Sequence, residues 1–264
     1  YCKEVLESHP AVLVEEKLDG EEFSLQCLTD GKTVVATPVA QDHKRAFEGD
    51  DGPNTGGMGS YSCENYLLPF LKKSDVEKAL EITKKVNAAL YRETGIYYKG
   101  IMYGGFMLAK GGVKLIEYNA RFGDPEAMNV LPLLKTDFAA ICQAIITQEL
   151  GRIKVEFAKK ATVCKYAVPL GYPDKPLKNE RIEINKIPDS AKMYYASVEQ
   201  KDDGIYMTGS RAIAFLGIGK NVEEAEKIAE EAVSGVKGKV FHRKDIGTKA
   251  LIRKRVEHME NISG

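Results

Sequence analysis

The sequence predicts an α+β protein in two parts. An antiparallel sheet with helices occupies residues 1–157, and a small, mixed, β-rich domain with one or two helices occupies 158–264. Three observations lead there. Apolar residues alternate in runs such as Phe23, Leu25 and Cys27, the period of a half-buried strand, with turn dipeptides between runs. Elsewhere they recur every third or fourth position, the period of a helix lying on a sheet. After about residue 158 the strand-like pieces shorten and are divided by Pro, Gly and Asp turns.

In chain order, residues 1–9 read as the end of a helix stopped before Pro10. The β-branched run AVLVEEKL suits a buried strand. EEFSLQCLTD is a strand that turns at Asp30-Gly31, and KTVVATPVA returns beside it. Periodicity then stops from Gln41 to Ser62, a long loop with five glycines and Pro53. Ser74 and Glu77 form a capping-box pattern for a helix over 74–94, with Val76, Leu80, Val86 and Leu90 as its apolar stripe. KGIMYGGFMLAK and VKLIEYNARF read as a hairpin. Asp124 as N-cap and Pro125 at the first position start a short helix. Asp137 caps another, ended by Gly151. Five short strands follow, and Asn221 caps a helix over 222–234.

Composition excludes several classes. The 264 residues carry 38 basic and 38 acidic side chains, so a uniformly basic nucleic-acid surface is excluded. The neutrality hides an asymmetry: 18 basic against 23 acidic residues up to 157, then 20 against 15. No stretch has the ~18–20 apolar residues of a membrane span, and no cleavable signal pattern opens the chain. The five cysteines are odd in number, far apart and without a CxxC, as expected of reduced thiols in a cytoplasmic protein.

Three groups of residues can carry chemistry. Glu117 and Asn119 lie two apart on a strand, so both side chains point to one face. They offer two hard oxygens, the donor type Mg²⁺ takes while keeping water and phosphate in its remaining positions. Arg121 follows in the same alternation and can hold a phosphate or carboxylate bidentately. A polar strand edge facing solvent is the plainer reading. The second group is the loop QDHKRAFEGDDGPNTGGMGSYS. Its glycines allow backbone N–H groups close to an anion, and Lys44 and Arg45 can neutralise it. A mobile surface loop is the alternative. The third is VEEKLDGEE, where hinge backbone can pair with an adenine edge and carboxylates can accept from ribose hydroxyls; a polar hairpin is the plainer reading. His9, His242 and His258 read as surface residues, and no catalytic triad or zinc spacing occurs.

In this order the three pieces resemble the glycinamide ribonucleotide synthetases (phosphoribosylamine–glycine ligases) of the ATP-grasp superfamily. The loop containing GPNTGGMG is the most specific element, and RKDIGTKAL near the end resembles the family's closing motif. The resemblance implies a partial ATP-grasp domain followed by the small C-terminal domain. It implies an ATP- and Mg²⁺- (or Mn²⁺-) dependent ligase that joins glycine to 5-phosphoribosylamine through an acyl phosphate. Glu117 and Asn119 would hold the metal, and Arg121, Lys44 and Arg45 would be catalytic. Glu15, Glu16, Leu18 and Glu22 would frame ATP. Asp42, Asn54, Thr55, Gly56, Gly57, Met58, Asp124 and Glu126 would bind substrate, the last two through the glycine ammonium. No carboxylate stands on the strand before Glu117 for a second metal. The resemblance also starts partway into the family pattern, so a missing N-terminal part, carrying the groups that grip ATP from the other side, is the expected partner, with apolar surface left near Tyr1, Val5 and Leu6. A non-catalytic half-site, or another ATP-grasp carboxylate–amine ligase, are the alternatives.

Overall fold

The structure is a computed structural model and describes residues 2–185 and 187–263. Helix α1 (Cys2–Ser8) leads to β1 (Gly20–Thr29) and its return, β2 (Val34–Ala36). Four short strands follow: β3 (Gln41–Asp42), β4 (Arg45–Phe47), β5 (Asp51–Asn54) and β6 (Gly59–Ser62). After α2 (Lys73–Thr94) comes the hairpin β7 (Gly100–Ala109) and β8 (Gly112–Asn119), then α3 (Glu126–Val130) and α4 (Phe138–Thr147). The remainder runs β9 (Ala161–Pro169), β10 (Arg181–Ile184), β11 (Ala191–Tyr195), β12 (Val198–Lys201), β13 (Gly204–Met207) and β14 (Ile213–Gly219). It ends with α5 (Val222–Ser234), β15 (Val236–Lys237), β16 (Val240–Phe241) and α6 (Lys249–Ser263).

All the strand pairs are antiparallel, and the fold is the expected α+β type. One sheet has the order β2-β1-β7-β8, with β1 and β7 paired along ten residues. A second has the order β11-β14-β9-β6-β3, with β16 also on β9. It takes strands from both sides of residue 157, so backbone hydrogen bonds join the two parts of the chain. A third sheet, β12-β13-β10-β15, covers the far end.

Phe23, Leu25 and Cys27 form the apolar face of β1, and the Phe23 and Phe106 rings stack at 5.6 Å. Each such buried side chain is worth about 1.5–3 kcal/mol. Helix α2 covers this face through small and polar residues, Ala79, Thr83 and Asn87, with Val76, Leu80 and Val86 beside them. The helix lies close enough for Tyr118 to donate to Thr83 Oγ1 at 2.9 Å and for Asn87 to bridge Thr29 and the Gly31 carbonyl. Leu90 is left exposed. Helix α5 is capped by Asn221, which accepts from the Glu224 N–H, and packs on β14. Gly217 permits that approach: a Cβ there would lie 2.0 Å from the Ala225 carbonyl oxygen, so Gly217→Ala would push the helix off the sheet.

Several expectations need correction. Residues 11–19 form no strand, because no neighbouring strand pairs with them; Leu13 and Val14 are exposed. Helix α2 starts one residue early, with Asp75 accepting from the Lys72 N–H in place of a Ser74–Glu77 box. Asp124 does not cap α3, because its carboxylate is drawn away to Arg211 and Tyr166. Helix α4 has its Asp137 cap but ends at Gln148, which takes the left-handed conformation, before Gly151. The 41–62 loop is ordered as two nested strand pairs, β3 on β6 and, between them in the chain, β4 on β5. His242 and His258 bond to Glu230 and Glu21. The exposed apolar start is seen at Leu6; Tyr1 lies outside the described residues.

Candidate active site

The face of the first sheet opposite α2 carries the polar groups. Register places Glu22 beside Met107 and Lys114, and Ser24 beside Gly105 and Glu117. A β-bulge makes this possible. Gly105 pairs with Glu117 and Phe106 with Leu115, so Ile116 is an extra residue on β8. Lys114 and Glu117 are an odd number of positions apart, yet the extra residue returns both to one face. Asn119 then follows Glu117 in ordinary alternation, and its amide donates to Glu117 Oε1 at 3.0 Å.

The 41–62 segment folds over this face. Lys44 Nζ lies 3.0 Å from Glu22 Oε2. Burial works against the Lys44 charge, but the carboxylates of Glu22, Asp42 and Glu117 outweigh it and hold its pKa above the usual value. Gln41 donates to the Glu22 carbonyl, fixing β3 against β1. Thr55 donates to the Lys44 carbonyl and accepts from the Gly57 N–H, which shapes the glycine turn. Gly57 has φ +106°, and a Cβ there would stand 2.6 Å from Asp42 Oδ1. Only glycine lets the turn close on that carboxylate.

Two buried groups here are incompletely satisfied. Asp42 Oδ1 and His43 Nδ1 are inaccessible and have no hydrogen-bond partner. Burial, then the carboxylate of Glu126, raises the Asp42 pKa well above the usual range. Glu126 is 1% exposed and accepts from Tyr103 at 2.7 Å; burial raises its pKa too. Burial, then the Arg243 and Arg255 guanidiniums, lowers His43 to about 3.

The resulting cleft, of about 320 Å³, is lined by Glu22, Asp42, His43, Lys44, Arg45, Asn54 and Arg255 among others. A neighbouring cleft of about 350 Å³ is lined by Glu15, Glu16, Leu18, Glu22, Met107 and Lys114. Glu22 and Met107 line both, so the two are continuous along the sheet. Thus the structure brings together Glu15, Glu16, Leu18 and Glu22 in one recess, and Asp42, Lys44, Arg45 and Asn54 in the other. It places Met58 in the main core, fully buried. Asp124 lines neither cleft and forms a bidentate pair with Arg211. Arg121, past the end of β8, donates to the Phe122 carbonyl.

Glu117 and Asn119 fit a Mg²⁺ ion. Both are hard oxygen donors on one face, and the Asn119 carbonyl oxygen is free of hydrogen bonds among the described residues. No cluster of three or more His, Cys, Asp or Glu donors occurs among those residues, so two protein ligands plus phosphate and water is the pattern available.

Four residues escaped sequence reasoning. Lys114 stands in the first recess, and Glu21, buried at the wall of the other cleft, is paired with Arg255 and His258. Arg243 is 1% exposed, paired with Asp50 and Asp245. Arg211 reaches the glycine turn from the C-terminal part. The only sequence signal for Arg243 was the RKDIGTKAL motif; Arg211 had none.

The A, or ATP-grasp, domain of phosphoribosylglycinamide synthetase matches residues 2–127, and the C domain of the same synthetase matches residues 162–249. The chain is 53% identical over 264 residues to the phosphoribosylamine–glycine ligase of Methanosarcina barkeri, covering all of this chain and 60% of that one. It is 50% identical over 267 residues to that of Pyrococcus furiosus, again covering 60% of the relative. The crystal structure of the Thermotoga maritima phosphoribosylamine–glycine ligase matches with a TM-score of 0.75 and 31% identity, over 88% of this chain and 56% of that one. The biotin carboxylase domain of Hydrogenobacter thermophilus 2-oxoglutarate carboxylase matches at 0.64 with 15% identity, over 98% of this chain and 54% of that one, a likeness of fold alone. The chain thus spans about 60% of the length of the curated relatives it matches. Both domain matches come from one synthetase and fall in its order along the chain, so the chain belongs to the phosphoribosylglycinamide synthetase family.

Proposed function

We propose that this chain supplies the metal- and substrate-binding side of a cytoplasmic, ATP-dependent ligase that joins glycine to 5-phosphoribosylamine. The γ-phosphoryl group of ATP passes to a glycine carboxylate oxygen, giving glycyl phosphate and ADP. The amine of phosphoribosylamine then attacks the acyl carbon, loses a proton and expels phosphate, leaving glycinamide ribonucleotide. The carrying observation is that Glu117 and Asn119 share the sheet face of Glu22, that the Glu117 carboxylate acts on the Lys44 charge, and that Lys44, Glu22 and the unpartnered Asp42 oxygen meet at one cleft.

Glu117 and Asn119 would hold Mg²⁺, which when bound offsets charge on the phosphates. Lys44, Arg45 and Arg121 add positive charge where two anions must approach. Glu15, Glu16 and Leu18 frame the adenine, Glu22 the ribose, and Lys114 stands in the same recess. Asn54, Thr55, Gly56 and Gly57 cover the substrate and exclude water, which an acyl phosphate needs for its lifetime. Met58 seats that turn by filling the core beneath it. Asp42 is better placed than Asp124 to receive the glycine ammonium. Its buried oxygen lacks a partner, whereas Asp124 is already neutralised by Arg211, and Glu126 reinforces Asp42 from behind.

A second reading has the chain act only together with the polypeptide that fills the rest of its relatives' length. The 60% span and the exposed Leu13 and Val14 favour it. The test is ADP release by the chain alone, and after addition of the first two-fifths of the Methanosarcina barkeri relative. ADP formed only when glycine and phosphoribosylamine are both present supports the reading. Equal turnover with bicarbonate sinks the glycine assignment. Glu117→Gln should raise the Mg²⁺ requirement at least tenfold, and an unchanged Mg²⁺ curve removes Glu117 from the metal site.

A further inference from the structure

The glycine turn is held from a distant part of the chain. Arg211 precedes β14, yet its Nη1 lies 2.7 Å from the Gly56 carbonyl oxygen and 3.1 Å from that of Gly57. The same guanidinium pairs with both Asp124 oxygens, at 3.2 and 3.0 Å, and stacks 4.6 Å over the Tyr166 ring. Tyr166 in turn donates to Asp124 Oδ1 at 2.8 Å. With a further bond from Nη1 to the Asp124 carbonyl at 3.3 Å, six contacts fix the fork, and only a planar guanidinium can make them together.

The turn is also thin. A Cβ at Gly56 would lie 3.2 Å from the Arg211 guanidinium carbon, and a Cβ at Gly57 2.6 Å from Asp42 Oδ1. The two glycines therefore form a single layer of backbone between a cation on one side and a buried carboxylate on the other. Wherever Arg211 holds the Gly56 and Gly57 carbonyls, it sets how far the turn stands from Asp42.

We propose that Arg211 is a positioning residue: it spaces the glycine turn against Asp42, and so sets the width of the seat for the substrate amine. It touches no reacting atom. The proposal rests on the ligase reading above for the identity of that amine, glycine, and on geometry alone for the spacing.

The test is amide hydrogen exchange on the full chain, followed over residues 54–58, with β9 and α5 as internal references. In the unaltered chain, glycine and Mg-ATP are each added as probes. Arg211→Gln should speed exchange in 54–58 about tenfold, leave β9 and α5 unchanged, and abolish the slowing by glycine while keeping that by Mg-ATP. Arg211→Lys, which keeps the charge but not the fork, should behave like Arg211→Gln. Exchange in 54–58 within twofold of the unaltered chain overturns the proposal, as does full rescue by lysine or equal loss of the glycine and Mg-ATP effects. If glycine slows nothing even in the unaltered chain, the glycine reading falls, and the spacing role is then decided by the 54–58 rates in Arg211→Gln alone.

Discussion

Charge is buried on both sides of β9, and the two sides treat it oppositely. Toward α5, Lys165 is fully buried but donates to Glu226, Glu230 and the Lys244 carbonyl, each within 2.8 Å. Glu230 also bonds to His242; burial pushes its pKa up, yet His242 and Lys165 hold it down to about 2. Toward the cleft, Asp42 and Glu126 are like-charged, close and raised, and Asp42 keeps an oxygen without a partner. The first arrangement is finished within the chain. The second leaves a carboxylate oxygen without a partner, the place where the proposed ammonium would sit. Complete pairing marks architecture, and incomplete pairing marks a place for a ligand.

The largest effect expected from this contrast is on the finished side. Lys165→Met leaves two partly buried carboxylates without their cation and should cost about 3 kcal/mol, the lower end of the range for breaking a buried pair because Glu230 keeps some exposure. Denaturant unfolding measures it. A loss below about 1 kcal/mol would mean that the two sides do not differ.

The cleft side should show itself in pH dependence, with two opposing signs. His43 binds its proton only near pH 3 when folded, against about 6.5 unfolded. Between those values the unfolded chain holds more protons, so His43 makes stability rise with pH, by up to ~1.4 kcal/mol per unit. His43→Gln should remove that rise, read as unfolding free energy at pH 4.5 and 6.5. The smallest effect belongs to Glu126. Its raised pKa means that the folded chain holds more protons above the unfolded carboxyl range near pH 4.3, so stability falls as pH rises. Glu126→Gln should flatten that fall and change stability at pH 7 by about 1 kcal/mol or less. An unchanged fall would show that the buried Glu126 carboxyl is not its source.

What could be read in advance was local. The Glu117–Asn119 face follows from strand alternation, and the glycine turn from a composition unlike anything around it. The helices up to α5 were visible from their periods or caps, although the caps slipped by a residue or changed partner; α6 was not read. What escaped was long-range. Gly56 and Arg211 are 155 residues apart, and nothing near Arg211 announces a partner. Val14 and its neighbours carry strand propensity, but among the described residues they pair with no strand. Lys165 did leave a mark, as a lone cation in the otherwise apolar ATVCKYAVP; its meaning depended on α5, more than 60 residues on.

The bulge on β8 splits that strand into two phases. Residues from Gly112 to Leu115 and from Glu117 to Asn119 obey opposite odd–even rules, and Ile116 is the point where the rule changes. If every residue of β8 paired one to one, with Ile116 taking a place in the ladder, the hairpin would be perfectly regular, yet Lys114 and Glu117 would face opposite sides. If the first half kept its place, the carboxylate would turn into the oil beneath α2, and Tyr118 would swing out into the cleft. The irregular strand is therefore the working one, and a single unpaired residue keeps the two halves of the cleft in step.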